Sequence, residues 1–175
     1  MILAFLILIV IGLYCVVFLA YLVDIIRNGL APNIATPKSA LAEISEALNI
    51  KRGDTIMEIG CGDARLIRYC ANKYPLASFE GIDNGLIANA RARLGSLKNK
   101  NVTIVFGDFT KLHNLKADKY YVYLLPEALE IIRPKLPKGC LVVSLEYGFK
   151  KIKPVKTIRL KESTKLAHKL YLYKF

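Results

Sequence analysis

Charge is missing from the first 23 residues, MILAFLILIVIGLYCVVFLAYLV, and carboxylates are scarce in the rest. The chain has 14 Asp and Glu against 26 Lys and Arg, and the resulting net charge of +12 belongs wholly to residues 24–175. An apolar helix of that length crosses a hydrocarbon core of about 30 Å. The segment lacks the basic start and the A-x-A-like site of a cleaved leader, and its apolar run is longer than a leader's. No face of it is polar, which argues against a buried core helix. The expectation is a membrane-spanning helix over 1–23, a linker over 24–35 and one domain over 36–175. The cations that begin at Arg27 place a single-pass chain with its domain on the cytoplasmic side. An anionic leaflet and a nucleic acid would both favour so basic a domain, so charge alone does not choose the partner.

Cysteine pairs are missing too. Cys15, Cys61, Cys70 and Cys140 are scattered without a C-x-x-C pair, which excludes a metal site of familiar spacing and suits a reducing compartment. There is no internal repeat and no low-complexity tract. Beyond the turn-rich stretch DIIRNGLAPNIATPKS, Thr36 reads as the N-cap of a helix with Pro37 at its first position. Leu41, Ile44 and Leu48 then mark one helical face. Apolar runs near 55–60, 77–83, 102–107, 119–124 and 140–146 alternate with helical patterns near 64–73, 85–97 and 126–133. That alternation predicts a parallel sheet covered on both faces. VKTIRLK and HKLYLYKF, with no long helix between them, predict a closing antiparallel hairpin.

The stretch TIMEIGCGDARL carries the first chemistry. A strand ending at Glu58-Ile59 and running through Gly60-Cys61-Gly62 into a helix is a nucleotide-type turn, in which glycine lets the backbone approach a ligand. The third glycine of a dinucleotide site is absent, its place being held by Arg65, and no G-K-[ST] follows as a phosphate loop requires. Glu58 and Asp63 put carboxylates where a phosphate binder avoids them. S-adenosylmethionine, with its ammonium, its sulfonium and no phosphate, fits this loop. The next strand, ASFEGID, ends in Asp83, where a carboxylate takes ribose hydroxyls, and VFGD places Asp108 near the adenine edge.

Here the residues resemble a known family, the class I S-adenosylmethionine-dependent methyltransferases, over about residues 36–175. The resemblance implies a Rossmann-like α/β sheet of order 3-2-1-4-5-7-6 with strand 7 antiparallel, here preceded by one transmembrane helix. More narrowly, ATPKSAL, EIGCGDARL, GID, VFGDF and YYVYLLPEALEIIRPKLPKGCLVVS after a short apolar helix are similar to the small membrane-anchored lysine methyltransferases of mitochondria and their prokaryotic relatives. Those enzymes modify the adenine nucleotide translocase and ATP synthase subunit c. Ala64 stands where that pattern has the glycine of G-D-G-R. The cofactor-binding set is expected to be Glu58, Gly60, Cys61, Gly62, Asp63, Asp83, Asn84, Asp108 and Phe109.

Methyl transfer needs an amine held about 3 to 3.5 Å from the methyl carbon and free of its proton. Aromatic and desolvated surroundings favour the neutral amine. The expected acceptor set is Tyr121, Tyr123, Pro126 and Glu127, with Glu146 beyond the next strand. As ordinary strand aromatics, Tyr120, Tyr121 and Tyr123 would pack against helices instead. His113 and His168 are candidate bases that read more simply as surface residues. The implied function is methylation of a lysine on a membrane-associated protein. An RNA or small-molecule methyltransferase and a non-catalytic cofactor-binding module are the alternatives.

Overall fold

The computed structural model describes residues 2–28, 34–164 and 166–175. Helix α1 (Ile2–Asn28) has no charged residue through Val23, where its mean hydropathy reaches 3.2, and side chains 2–19 are all exposed. It is long and apolar enough to span a membrane, and it passes beside α4 (Leu86–Ser96) of the domain. The helix continues to Asn28, five residues into the segment expected to be linker; residues 29–33 lie outside the described ones.

The five central strands form at the short, mainly apolar runs, as strands covered on both faces require. They are β1 (Thr55–Ile59), β2 (Ser78–Asp83), β3 (Val102–Phe106), β4 (Lys119–Val122) and β5 (Leu141–Leu145). All pair in parallel. β6 (Lys156–Thr164) and β7 (Ala167–Lys174) form the closing hairpin, and β7 runs antiparallel to β5. The sheet order is β3-β2-β1-β4-β5-β7-β6, the arrangement implied by the resemblance. Helices α2 (Leu41–Leu48) and α3 (Arg65–Lys73) pack with Ile56, Tyr121, Val143 and the hairpin's Leu160 and Leu170 on one face. Helix α5 (Pro126–Ile132) packs with Tyr120, Val122, Val142 and Tyr173 on the other.

The expected N-cap at Thr36 is a correction. A short 3-10 turn, Lys38–Ala40, precedes α2, and the turn's own cap residue is Pro37. The Thr36 hydroxyl shares a buried 2.9 Å hydrogen bond with the Tyr121 hydroxyl, 85 residues away in sequence. A long-range buried partner has drawn the side chain from the local cap.

Candidate functional site

Chain direction reverses between β1 and β4: the sequence builds outward through β2 to β3, then returns. At such a switch point, outside the carboxyl ends of the strands, open α/β sheets bind ligands. The loop after β1 follows from three residues with positive φ: Gly60 (74°), Gly62 (55°) and Ala64 (58°). Gly60 and Cys61 both donate to the Ile82 carbonyl, at 2.9 and 3.0 Å, which ties the turn to the end of β2. A Cβ at Gly60 would sit 2.9 Å from the Leu124 side chain, which could swing away, so the backbone angle is what demands glycine.

Asp83 organises the loop. Its Oδ2 accepts from the Gly62 N–H and its Oδ1 from the Gly85 N–H, each at 2.8 Å. Asp108 accepts from the hydroxyl and the N–H of Thr110 at 2.6 and 2.9 Å. The Thr110 hydroxyl bond chiefly holds the Asp108 carboxyl below its ordinary value. Asn84 and Phe109 stand beside these carboxylates, half-buried.

The charge on the glycine loop is smaller than the sequence reading has it. Glu58 is buried, and burial raises its pKa well above the carboxylate range against an opposing Ile67 N–H bond. Burial thus favours its uncharged form, and its Oε2 has no hydrogen-bond partner among the described residues. Asp63, pushed up by burial, is held down more strongly by Arg65, whose guanidinium meets it at 2.8 Å. Cys61 is buried, and burial raises its thiol, so it stays uncharged. Among the described residues Asp83 is thus the carboxylate of this loop without a Lys or Arg partner. Backbone freed of side chains beside an unpaired carboxylate suits S-adenosylmethionine, which presents hydroxyls and positive charge.

On the acceptor side, Tyr123 follows β4 directly and Pro126 and Glu127 open α5. The Tyr123 hydroxyl is raised to about 12, first by burial and then by Tyr147 and Glu146, and it donates to the Leu166 carbonyl at the hairpin tip. Glu127 is well exposed and 3.5 Å from the Lys150 ammonium. Tyr121 departs from its expected place. It is fully buried opposite Glu58 in the strand register, with its hydroxyl on Thr36, so it supports the site from beneath. The strand-aromatic reading describes Tyr120 and Tyr121, and the rim position is Tyr123.

Two partnerships at the site were not legible in the sequence, that of Arg65 with Thr36 and that of His168, one of the candidate bases, with Glu146. Arg65 Nη1 donates to the Thr36 carbonyl at 3.2 Å, clamping the segment before α2 onto the loop. His168 donates its N–H to Glu146 Oε2 at 2.6 Å, and its Nδ1 lies 3.1 Å from Oε1. The isolated histidine in a terminal strand gave no sign of that partner.

No protein-family model matches the chain. A protein-lysine N-methyltransferase of Saccharolobus islandicus is 28% identical over 152 residues, covering 81% of this chain and 92% of that protein. The (S)-tetrahydroprotoberberine N-methyltransferase of Eschscholzia californica is 35% identical over 82 residues, 46% of this chain and 23% of the other. Among solved structures, an RNA methyltransferase from Salinibacter ruber in complex with S-adenosyl-L-homocysteine has a TM-score of 0.72 at 23% identity, covering 80% of this chain and 92% of that one. That last likeness is one of fold.

Proposed function

We propose, from the premise that the chain is a class I S-adenosylmethionine-dependent methyltransferase, that it methylates a lysine amine of a protein at a membrane surface. The observation that carries this is the placement of carboxylates. Each of the five parallel strands ends at, or within five residues of, one: Asp63, Asp83, Asp108, Glu127 and Glu146. Three of these face cations, Asp63 with Arg65, Asp108 with Lys111 and Glu127 with Lys150, so among the described residues the edge of this +12 chain keeps Asp83 and Glu146 as carboxylates without a Lys or Arg partner. A cationic acceptor is drawn to such an edge and a polyanion is repelled.

The residues divide the work. Gly60 to Asp63, with Asp83 and Asp108, would hold the methyl donor, which supplies an electrophilic methyl group on sulfur. Tyr123 and Tyr147 offer aromatic surfaces to the acceptor, whose cationic form they attract and whose neutral form they desolvate less expensively. Glu146 and Glu127 add charge on the acceptor side. Pro126 at the first position of α5 fixes the path from Tyr123 into the helix. The lysine-specific relative, similar over most of both chains, supports the choice of acceptor. Helix α1 would tether the domain, and the cations after it would keep the domain on the cytoplasmic face.

Detergent-solubilised full-length protein is incubated with a membrane extract and methyl-tritiated donor, and the products are hydrolysed. Label recovered as N-methyllysine supports the proposal. Label confined to RNA or lipid overturns it.

A further inference from the structure

We infer that the Glu146–His168 pair is the acceptor-side proton acceptor, with Glu146 orienting the imidazole; the inference rests on the lysine reading above. Glu146 and His168 sit at the carboxyl edge, Glu146 one residue past β5 and His168 at the second residue of the antiparallel β7. Tyr123 stands at the end of the neighbouring β4 and binds the carbonyl of Leu166, two residues before His168. Three adjacent strands therefore bring a tyrosine, a carboxylate and an imidazole to one place.

Glu146 reaches it at a cost. Its φ is 65°, in the left-handed region that a non-glycine residue adopts only under strain. Two hydrogen bonds from the same residue, the His168 N–H and its ring, hold the carboxylate there. With Glu146 ionised, Nδ1 carries the ring hydrogen and Nε2 keeps a lone pair. The His168 side chain is 40% exposed, and among the described residues Nε2 has no partner. The charged and titratable groups on the segments packed against His168 are Glu146 and Tyr147 in the loop after β5, Tyr123 just past β4, Arg159, Lys161 and Glu162 on β6, and Lys169 on β7 itself.

The step balances simply. An N–H bond of the lysine ammonium breaks, its proton bonds to Nε2, and the electron pair stays on the amine nitrogen. That pair then forms the new C–N bond as the C–S bond breaks and its electrons stay on sulfur, giving a thioether and a methylated ammonium. The imidazolium returns its proton to water. Lysine with a pKa near 10.4 is almost wholly protonated at pH 7, so a positioned base has a large effect to supply.

Full-length protein in detergent is assayed for N-methyllysine formed in heat-treated membrane proteins at saturating donor, from pH 7 to 10, as wild type, His168→Ala and His168→Gln. Both variants should lose 10- to 100-fold at pH 7 and approach wild type near pH 10, where the acceptor loses its proton unaided. Added imidazole should restore part of the loss at pH 7, and calorimetric affinity for S-adenosyl-L-homocysteine should stay within about twofold of wild type. Wild-type labelling of lysine with a variant deficit that is absent, or equal at pH 7 and pH 10, overturns the proton-acceptor role alone. Wild type that labels RNA and no lysine overturns the acceptor reading and this role with it.

Discussion

Ala64 opens α3 at φ 58° and ψ 28°, a conformation that an L-residue adopts at about 1 to 2 kcal/mol. Glycine there would relieve that strain while losing one buried methyl, worth about 0.8 kcal/mol, and gaining chain entropy when unfolded. Ala64→Gly should therefore change stability by less than about 1 kcal/mol. Ala71→Gly, equally buried but inside the same helix, loses propensity and burial together and should cost about 2 kcal/mol. Urea unfolding of the two variants side by side checks the contrast. Equal costs would mean that Ala64 is unstrained.

Glu58 makes a second prediction, with a definite sign. Folding raises its pKa from 4.5, so between 4.5 and the higher folded value the folded chain keeps a proton that the unfolded chain releases. Its contribution to stability is complete below pH 4.5 and is lost as pH rises through that window, by at most about 1.4 kcal/mol per unit. Glu58→Gln should remove this dependence. Unfolding free energies of wild type and variant, compared from pH 5 to 8, should diverge in the variant's favour as pH rises. A difference independent of pH would show that Glu58 is ionised in both states.

Among the elements, the joint between the segment before α2 and the sheet is the Thr36–Tyr121 hydroxyl pair. Removing either hydroxyl leaves the other buried alone, at about 1 to 3 kcal/mol, whereas removing both leaves no orphan. Thr36→Val with Tyr121→Phe should therefore destabilise by clearly less than the sum of the single changes, with a coupling of at least about 0.5 kcal/mol by denaturant unfolding. Additive effects would place the two hydroxyls in separate environments. The central strands were legible because strands covered on both faces are mostly apolar, as IMEI and LVVSL are apart from Glu58 and Ser144. Their ends were less so: β4 stops at Val122, two residues early, although Tyr123 and Leu124 continue the apolar run and pack on opposite faces against the core. The helix beyond Val23 was hidden because Asp24 and Arg27 end the apolar pattern without ending the hydrogen bonding. The glycine loop and the strand-end carboxylates could be read because each is local in sequence. Thr36–Tyr121 and Glu146–His168 could not, since they join residues 85 and 22 positions apart.

At the scale of the whole molecule, the apolar α1 and the basic domain make separable contributions to membrane association. If α1 spans the bilayer, alkaline carbonate should leave the protein in the membrane pellet, because charge neutralisation and high pH strip proteins held by electrostatics alone. A chain lacking residues 1–28 should move to the supernatant at high salt. Full-length protein released by carbonate would reduce α1 to a surface contact.

The outer rim of the sheet bears on life in such a plane. Copies confined to one bilayer meet in two dimensions, at effective concentrations far above those in the bulk. β6 ends the sheet, and an uncovered strand of nine residues is a template for another chain. Lys156, Arg159 and Lys161 are exposed along it, and the Lys161 N–H is already taken by Glu43 of α2. Two copies approaching rim to rim would align cation against cation. Were α1 to tether the chain, the crowding it brings would be matched by an edge that resists strand exchange, and neighbouring copies would share a membrane without fusing their sheets.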